Sequence, residues 1–358
     1  MKKTVLLTVA VLALLSCNKI VTPEETEVKK PKNIILMIGD GTGLSQISAA
    51  QYFGKTPSNY TRFPITGLIN TSSESDLITD SAAGATAFAS GIRTYNGAIG
   101  VDVDTTKVQN MVELVSQKGM QTGLIATSSI THATPACFFA HSKSRDFHEE
   151  IAAQLPTSEI NFFAGAGLQY FNKREDGKNL LDDFSENGFS IDTLKLEAMP
   201  NAKKAGYLLA DKSMPKAMEG RGNFLKDASL LAVQRLSQNE KGFFMMVEGS
   251  QIDWGGHDND APYLISELLD FDSTIGAILD FAEKNGETLV VVTADHETGG
   301  FTLASDGDDY NSIQPTFSTH GHSATMVPVF AYGPGAEIFS GIYKNSEIFH
   351  KIKTLLQE

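Results

Sequence analysis

Three hydrophobic runs in this 358-residue chain each lead into an acidic residue. Asn33-Ile34-Ile35-Leu36-Met37-Ile38-Gly39 leads into Asp40. Gly242-Phe243-Phe244-Met245-Met246-Val247 leads into Glu248, and Thr288-Leu289-Val290-Val291-Val292-Thr293-Ala294 into Asp295-His296. Each reads as a strand. In an open α/β sheet, ligands sit in the crevice beyond the carboxyl ends of the strands. Three carboxylates delivered to that crevice, one beside an imidazole, describe a site for several metal ions.

The rest of the chain supports such a sheet. From Asn33 onward strands alternate with helical periodicity, which predicts an α/β fold. Its central β-sheet should be large and mostly parallel, with helices on both faces. Val108, Met111, Val112 and Val115 recur at helical spacing ahead of Gly119, and Gly123 to Thr127 reads as a strand. Leu264, Leu268, Leu269, Phe271, Ile275 and Ile278 line a helix before the Leu289 strand. Val327 to Tyr332 is a late strand closed by Gly333-Pro334-Gly335. Residues 32–358 read as one catalytic domain. Within it, 155–240 carries the weakest signals: a strand at Asn161 to Phe163, a turn at Ala164 to Gly167, then a cover over the sheet or a surface insertion. A composition 41% hydrophobic and 20% charged belongs to a globular chain, long enough to bury a core. The formal net charge of −14 argues against a general nucleic-acid binder.

The N-terminus reads as a leader. A basic Met1-Lys2-Lys3 precedes an apolar run, Val5 to Leu15, too short to span a bilayer. The run ends in Leu14-Leu15-Ser16-Cys17. That pattern reads as a lipoprotein signal peptide over 1–16, with Cys17 lipidated and 17–31 forming an anchor and flexible tether. An ordinary secretory signal is the alternative. Either places the protein outside the cytosol, periplasmic or anchored at the outer membrane. The other cysteine, Cys137, sits in apolar surroundings and reads as a buried, inert thiol.

The segment Asp80-Ser81-Ala82-Ala83-Gly84-Ala85-Thr86-Ala87-Phe88-Ala89-Ser90-Gly91 is a small-residue helix that Gly91 can stop. Ser81 falls in its first turn, where free amides and the positive dipole end favour an anion. A serine hydroxyl needs a base or a metal to become a nucleophile. No Gly-x-Ser-x-Gly elbow is present at this segment, so the metal route fits better. On local evidence alone, Asp80 or Ser81 as a plain helix cap is the simpler reading. Ligand candidates elsewhere shift that balance: Asp253 and His257 four residues apart soon after Glu248, the Asp295-His296 pair, and His322. Mixed oxygen and nitrogen donors suit zinc, and all-oxygen positions suit magnesium.

With these segments in this order, the chain resembles the alkaline phosphatase family from about Asn33 to its C-terminus. Further marks are Gly39-Asp40-Gly41-Thr42-Gly43, His132-Ala133-Thr134-Pro135-Ala136 with His141 and Arg145, and Tyr332-Gly333-Pro334. The compact length and Trp254 are similar to the small bacterial members. The resemblance implies hydrolysis of phosphate monoesters, with Ser81 the nucleophile that becomes a phosphoserine and Arg145 clamping two phosphoryl oxygens. It implies two zinc ions and one magnesium. Asp253, His257 and His322 would hold one zinc, and Asp40, Asp295 and His296 the other. Asp40, Thr134 and Glu248 would hold the magnesium. His132 and Trp254 stand where the enterobacterial type has Asp and Lys, which makes them candidates for additional metal or phosphate contacts at a third site that departs from that type. His320, two residues from His322, competes with it for the ligand role; spacing to Tyr332-Gly333-Pro334 favours His322. The resemblance also implies a homodimer. Rival readings are a phosphodiesterase or other hydrolase of the same metalloenzyme superfamily, or a non-catalytic metal- or phosphate-binding lipoprotein.

Overall fold

The computed structural model describes residues 29–357. The expected signal segment, Cys17 and most of the tether lie outside them. Strands follow in chain order: β1 (Asn33–Gly39), β2 (Ile65–Asn70), β3 (Gln121–Ser129), β4 (Phe162–Ala166), β5 (Phe189–Asp192), β6 (Lys204–Leu208) and β7 (Phe243–Gly249). After them come β8 (Thr288–Thr293), β9 (Glu297–Thr298), β10 (Thr302–Asp306), β11 (Asp309–Thr316), β12 (His322–Ser323), β13 (Val327–Tyr332) and β14 (Gly341–Lys344). Ten of them form one sheet in the order β14-β2-β13-β8-β1-β7-β3-β4-β6-β5. β13 runs antiparallel to both its neighbours; every other pairing in the sheet is parallel.

The three acid-tipped strands are the centre of that sheet. β1 lies between β8 and β7 in parallel register, with Ile38 opposite both Glu248 and Thr293. Their carboxyl ends are therefore level, and Asp40, Glu248 and Asp295 emerge at one edge. Alternation along β1 divides the core into two layers. Ile34, Leu36 and Ile38 face one cluster, which includes Ala82, Ala85, Phe88 and Ala89 of the helix Ser81–Ser90. Ile35 and Met37 face the other, packed on Leu264, Leu268, Phe271 and Ile275 of the helix Ala261–Asn285. Every residue of β1, β7 and β8 is buried. Each such aliphatic side chain stabilises the fold by about 1.5–3 kcal/mol relative to exposure.

Local boundaries differ from the sequence reading in three places. Val108 lies ahead of its helix, which spans Met111–Ser116: Asn110 and Glu113 form a reciprocal capping box and set the start three residues later. Ala164 to Ala166 continue β4, and the turn comes at Gly167, where φ is +97° and a Cβ would fall 2.1 Å from Ser129 Oγ. The weakly signalled 155–240 stretch supplies β4, β6 and β5 at one edge of the sheet, with the helix Phe224–Leu236 in the same core cluster as β4 and β6.

Candidate active site

Backbone geometry concentrates the chemistry at the carboxyl edge of β8, β1 and β7. Just past β1, Gly41 has φ +72°, and a Cβ there would lie 2.8 Å from Asp253 Cα and from Thr298 Oγ1. Only glycine lets the Asp40 turn pack so closely under Asp253. Beyond β7, the helix Gln251–His257 puts Asp253 and His257 one turn apart on the same face. β12 pairs antiparallel with β9, His322 opposite Thr298, and this returns His322 to the cluster. The helix Ser81–Ser90 is capped by Asp80, whose Oδ1 accepts from Ala83 N at 2.9 Å. Gly84 explains its small-residue composition: a Cβ there would be 3.1 Å from Asp295 Cβ. The helix can press its N-terminus into the site only with small side chains on this face. Gly91 ends it at φ +71°.

Ser81 Oγ lies 3.3 Å from His296 Nε2. That nitrogen is 3.2 Å from Asp295 Oδ2 and 3.5 Å from Asp40 Oδ1. Ligand atoms of Asp253, His257 and His322 lie within 4.8 Å of one another, as do those of Asp40, Asp253 and His296, and those of Asp40, His132 and Glu248. His132 thus joins the third group by geometry. Thr134 sits nearby on the short helix Ala133–Ala136 and is fully buried. The His296 and His322 rings stack with centroids 3.5 Å apart. His320 is not at the cluster; its carbonyl accepts from His257 Nδ1, and its own Nδ1 faces the His257 carbonyl at 2.9 Å.

This arrangement lacks donors and is rich in acceptors. Asp40 Oδ1 and Oδ2, Asp295 Oδ2, Glu248 Oε1, Thr134 Oγ1 and His132 Nδ1 are buried with no hydrogen-bond partner. A buried polar group left unmatched costs roughly 1–3 kcal/mol, and a charged one more. At the other end, His257 Nδ1 faces the His320 carbonyl and His322 Nδ1 faces the Thr79 carbonyl at 2.8 Å. Both Nδ1 atoms must carry the proton to satisfy those carbonyls, so both Nε2 atoms present lone pairs. They face each other at 3.1 Å, and Asp253 Oδ1 is 3.4 and 3.6 Å away. Three converging acceptors need a cation between them.

Electrostatics says the same. Burial, then the charges of Asp295, Asp253 and Glu248, push Asp40 well above the ordinary carboxylate range. Burial raises Glu248 to about 7 and, with help from Asp253, Asp295 to about 6. Asp253 is the exception: burial pulls it up, but His257, His296 and His322 outweigh burial and hold it down. The Asp253 contact raises His257 to about 9, so without a cation a proton would sit there. Burial, then His322, depresses His296 to about 3. The residues present fit divalent ions: positive charge would let Asp40, Glu248 and Asp295 stay ionised, and a neutral His296 offers it a lone pair.

Arg145 brings a guanidinium beside this cluster. Its Nη1 donates to Asp80 Oδ2 at 2.9 Å, and its Nη2 lies 3.4 Å from His132 Nε2. Burial, then Arg145, lowers His132 to about 3. Trp254 meets His132 edge-on, with ring centroids 5.9 Å apart. Several supporting residues carried no sequence signal. Thr298 donates to Asp253, Ser250 donates to Glu248 at 2.6 Å, and Gly41 N donates to Asp295 Oδ1 at 3.2 Å. Lone hydroxyls and one amide have no diagnostic spacing. Only the position of Thr298, three residues past Asp295, hints at a role.

Comparison with known proteins agrees with this chemistry. A family model described as alkaline phosphatase matches residues 31–316. Alkaline phosphatase 4 of Bacillus subtilis is 39% identical over 335 residues, covering 88% of this chain and 72% of its own length. The alkaline phosphatase of Escherichia coli is 30% identical over 407 residues, covering 92% and 86%. Among solved structures, the alkaline phosphatase from the Antarctic bacterium TAB5 superposes with a TM-score of 0.91 at 55% identity, over 92% of this chain and 98% of that one. A substituted form of that enzyme carries Mg in its M3 site.

Proposed function

Because the chain belongs to the alkaline phosphatase family, a family of metal-dependent enzymes, we propose that it hydrolyses phosphate monoesters through Ser81, with Arg145 as the phosphate clamp. One zinc would be held by Asp253, His257 and His322, and a second by Asp40, Asp295 and His296. Magnesium would be held by Asp40, Thr134 and Glu248, with His132 able to enter that third site. When bound, these ions supply Lewis acidity and neutralise phosphoryl charge. The chain itself does the positioning, which supplies most of the acceleration in phosphoryl transfer. Arg145 grips two phosphoryl oxygens with a planar fork whose angle Asp80 fixes. The N-terminus of the helix Ser81–Ser90 adds positive potential beneath the phosphoryl group. Ser81 Oγ bonds to phosphorus as the ester oxygen leaves with its electron pair and gains a proton. Water then cleaves the phosphoserine, releasing inorganic phosphate and restoring the hydroxyl.

The observation that carries this reading is the set of buried, partnerless carboxylate oxygens converging beside the Ser81 hydroxyl. Elemental analysis of the purified chain, p-nitrophenyl phosphate turnover, and acid trapping of phosphate on Ser81 test it together. Phosphate recovered on any other residue removes Ser81 from the reaction. The partner substrate is a small phosphate monoester. Export, lipid on Cys17 and a homodimer complete the proposal. Mass analysis of the mature N-terminus and sedimentation equilibrium decide those three points.

A further inference from the structure

Beyond β6 the chain forms a loop, residues 209–222, at the same edge of the sheet as the active site, and that loop is firmly held. Met214 N donates to the Thr127 carbonyl at 3.1 Å, and Gln251 Nε2 donates to the Met214 carbonyl at 2.8 Å. Ala217 N donates to Glu267 Oε1 at 2.7 Å. The Arg221 side chain is wholly buried, bonded to Glu267, to Asp270 at 2.9 Å and to the Pro215 carbonyl at 3.1 Å. Two carboxylates and a carbonyl hold both Nη groups of this guanidinium, so the triad fixes the loop in one place.

The fixed loop is one wall of a pocket of about 410 Å³. Trp254 and Tyr263 line the other. The volume is in the range of small-molecule sites. Trp254 ties it to the chemistry: the indole meets His132 edge-on, and His132 touches Arg145. One aromatic side chain therefore borders the pocket and, through His132, reaches the phosphate clamp. Resting on the hydrolase reading above, we propose that this pocket is a leaving-group subsite that takes the nucleoside of a nucleoside 5′-monophosphate. Its polar groups select that chemistry. The Lys216 ammonium sits 3.9 Å from the Tyr263 ring centroid and makes no ion pair with a carboxylate among the described residues, which leaves it free to donate to a base carbonyl or ring nitrogen. Glu219 and Asp258 add exposed carboxylates that repel a second phosphate but accept from ribose hydroxyls. An aliphatic alcohol would leave the indole unused, whereas any base can stack on it.

Trp254 is the chain's single tryptophan, so its fluorescence reports on the pocket directly. The metal-replete full chain, saturated with inorganic phosphate, is titrated with adenosine and, separately, with glycerol. Saturable quenching by adenosine alone is expected, with affinity falling about threefold or more in Lys216→Ala. In parallel, kcat/KM for adenosine 5′-monophosphate should exceed that for glycerol 3-phosphate roughly tenfold, a ratio that narrows in Lys216→Ala. Silent fluorescence overturns the subsite whether or not the esters turn over. Quenching without nucleotide preference overturns it too, because the pocket would then not serve the ester. Failure to hydrolyse either ester overturns the hydrolase reading instead.

Discussion

Asp80 serves two structures at once, and replacing it should show both. Its Oδ1 caps the helix that carries Ser81, at 2.9 Å from Ala83 N. Its Oδ2 accepts from Arg145 Nη1 at 2.9 Å and from Gly97 N at 3.0 Å. Asp80→Ala removes the cap, at about 1 kcal/mol. It also leaves the partly buried Gly97 amide without an acceptor, for about 1 kcal/mol more. The ion pair adds roughly another 1 kcal/mol, more than a surface pair because its side chains are only 20% and 25% exposed. The expected loss is about 3 kcal/mol by urea denaturation, the sum of these three terms. Asp80→Asn keeps one acceptor oxygen for the cap and should lose about half as much. Because Arg145 is freed in both, inhibition by inorganic phosphate should weaken in both, and KM should rise. If Asp80→Ala unfolds at the wild-type urea concentration, or binds phosphate as tightly as wild type, Asp80 does not orient the clamp.

Other perturbations probe separate parts of the molecule. Ser81→Ala should keep its metals and far-ultraviolet spectrum while turnover falls by about a thousandfold or more, and near-normal turnover would rule out covalent catalysis by Ser81. Exhaustive chelation should abolish activity and lower the melting midpoint together, since the buried acceptors lose their counter-charge; a midpoint unmoved by chelation contradicts the convergence argument. Burial pushes the Cys137 thiol up to about 12. The folded chain should therefore resist alkylation there at pH 8 and react only after urea unfolding, as peptide mapping can verify. Arg221→Met should cost about 3–5 kcal/mol by stranding Glu267, and adding Glu267→Leu should recover much of it. A double variant no more stable than the single would contradict that account.

How much of this was legible beforehand follows from which interactions leave a periodic or compositional trace. β1, β7 and β8 were readable because strands buried on both faces must be apolar at every position, and the acidic residues ending them break that pattern abruptly. The helix Ala261–Asn285 declared itself by spacing alone. β2 and β14 did not, because each is short and partly exposed, which leaves few apolar positions to form a pattern. Of the β4-β6-β5 edge only the start of β4 was readable; β5 and β6 failed for a similar reason, being four and five residues long and separated by polar loops. The roles within the site divide the same way. Carboxylates and imidazoles are few and costly to bury, so each one at a strand end stands out. The groups that hold them, Thr298, Ser250, the Thr79 carbonyl and the Gly41 amide, are common and locally unremarked. Apart from Ser250, two residues from Glu248, their work depends on contacts between segments tens to hundreds of residues apart, as between Thr79 and His322. Gly41 shows how such contacts constrain sequence. Its hydrogen side chain is required by Asp253, more than two hundred positions away, through a clearance of 2.8 Å. A Gly41→Ala variant should therefore displace the Asp253 backbone as well as strain its own turn, and weaken metal retention more than any surface glycine change would.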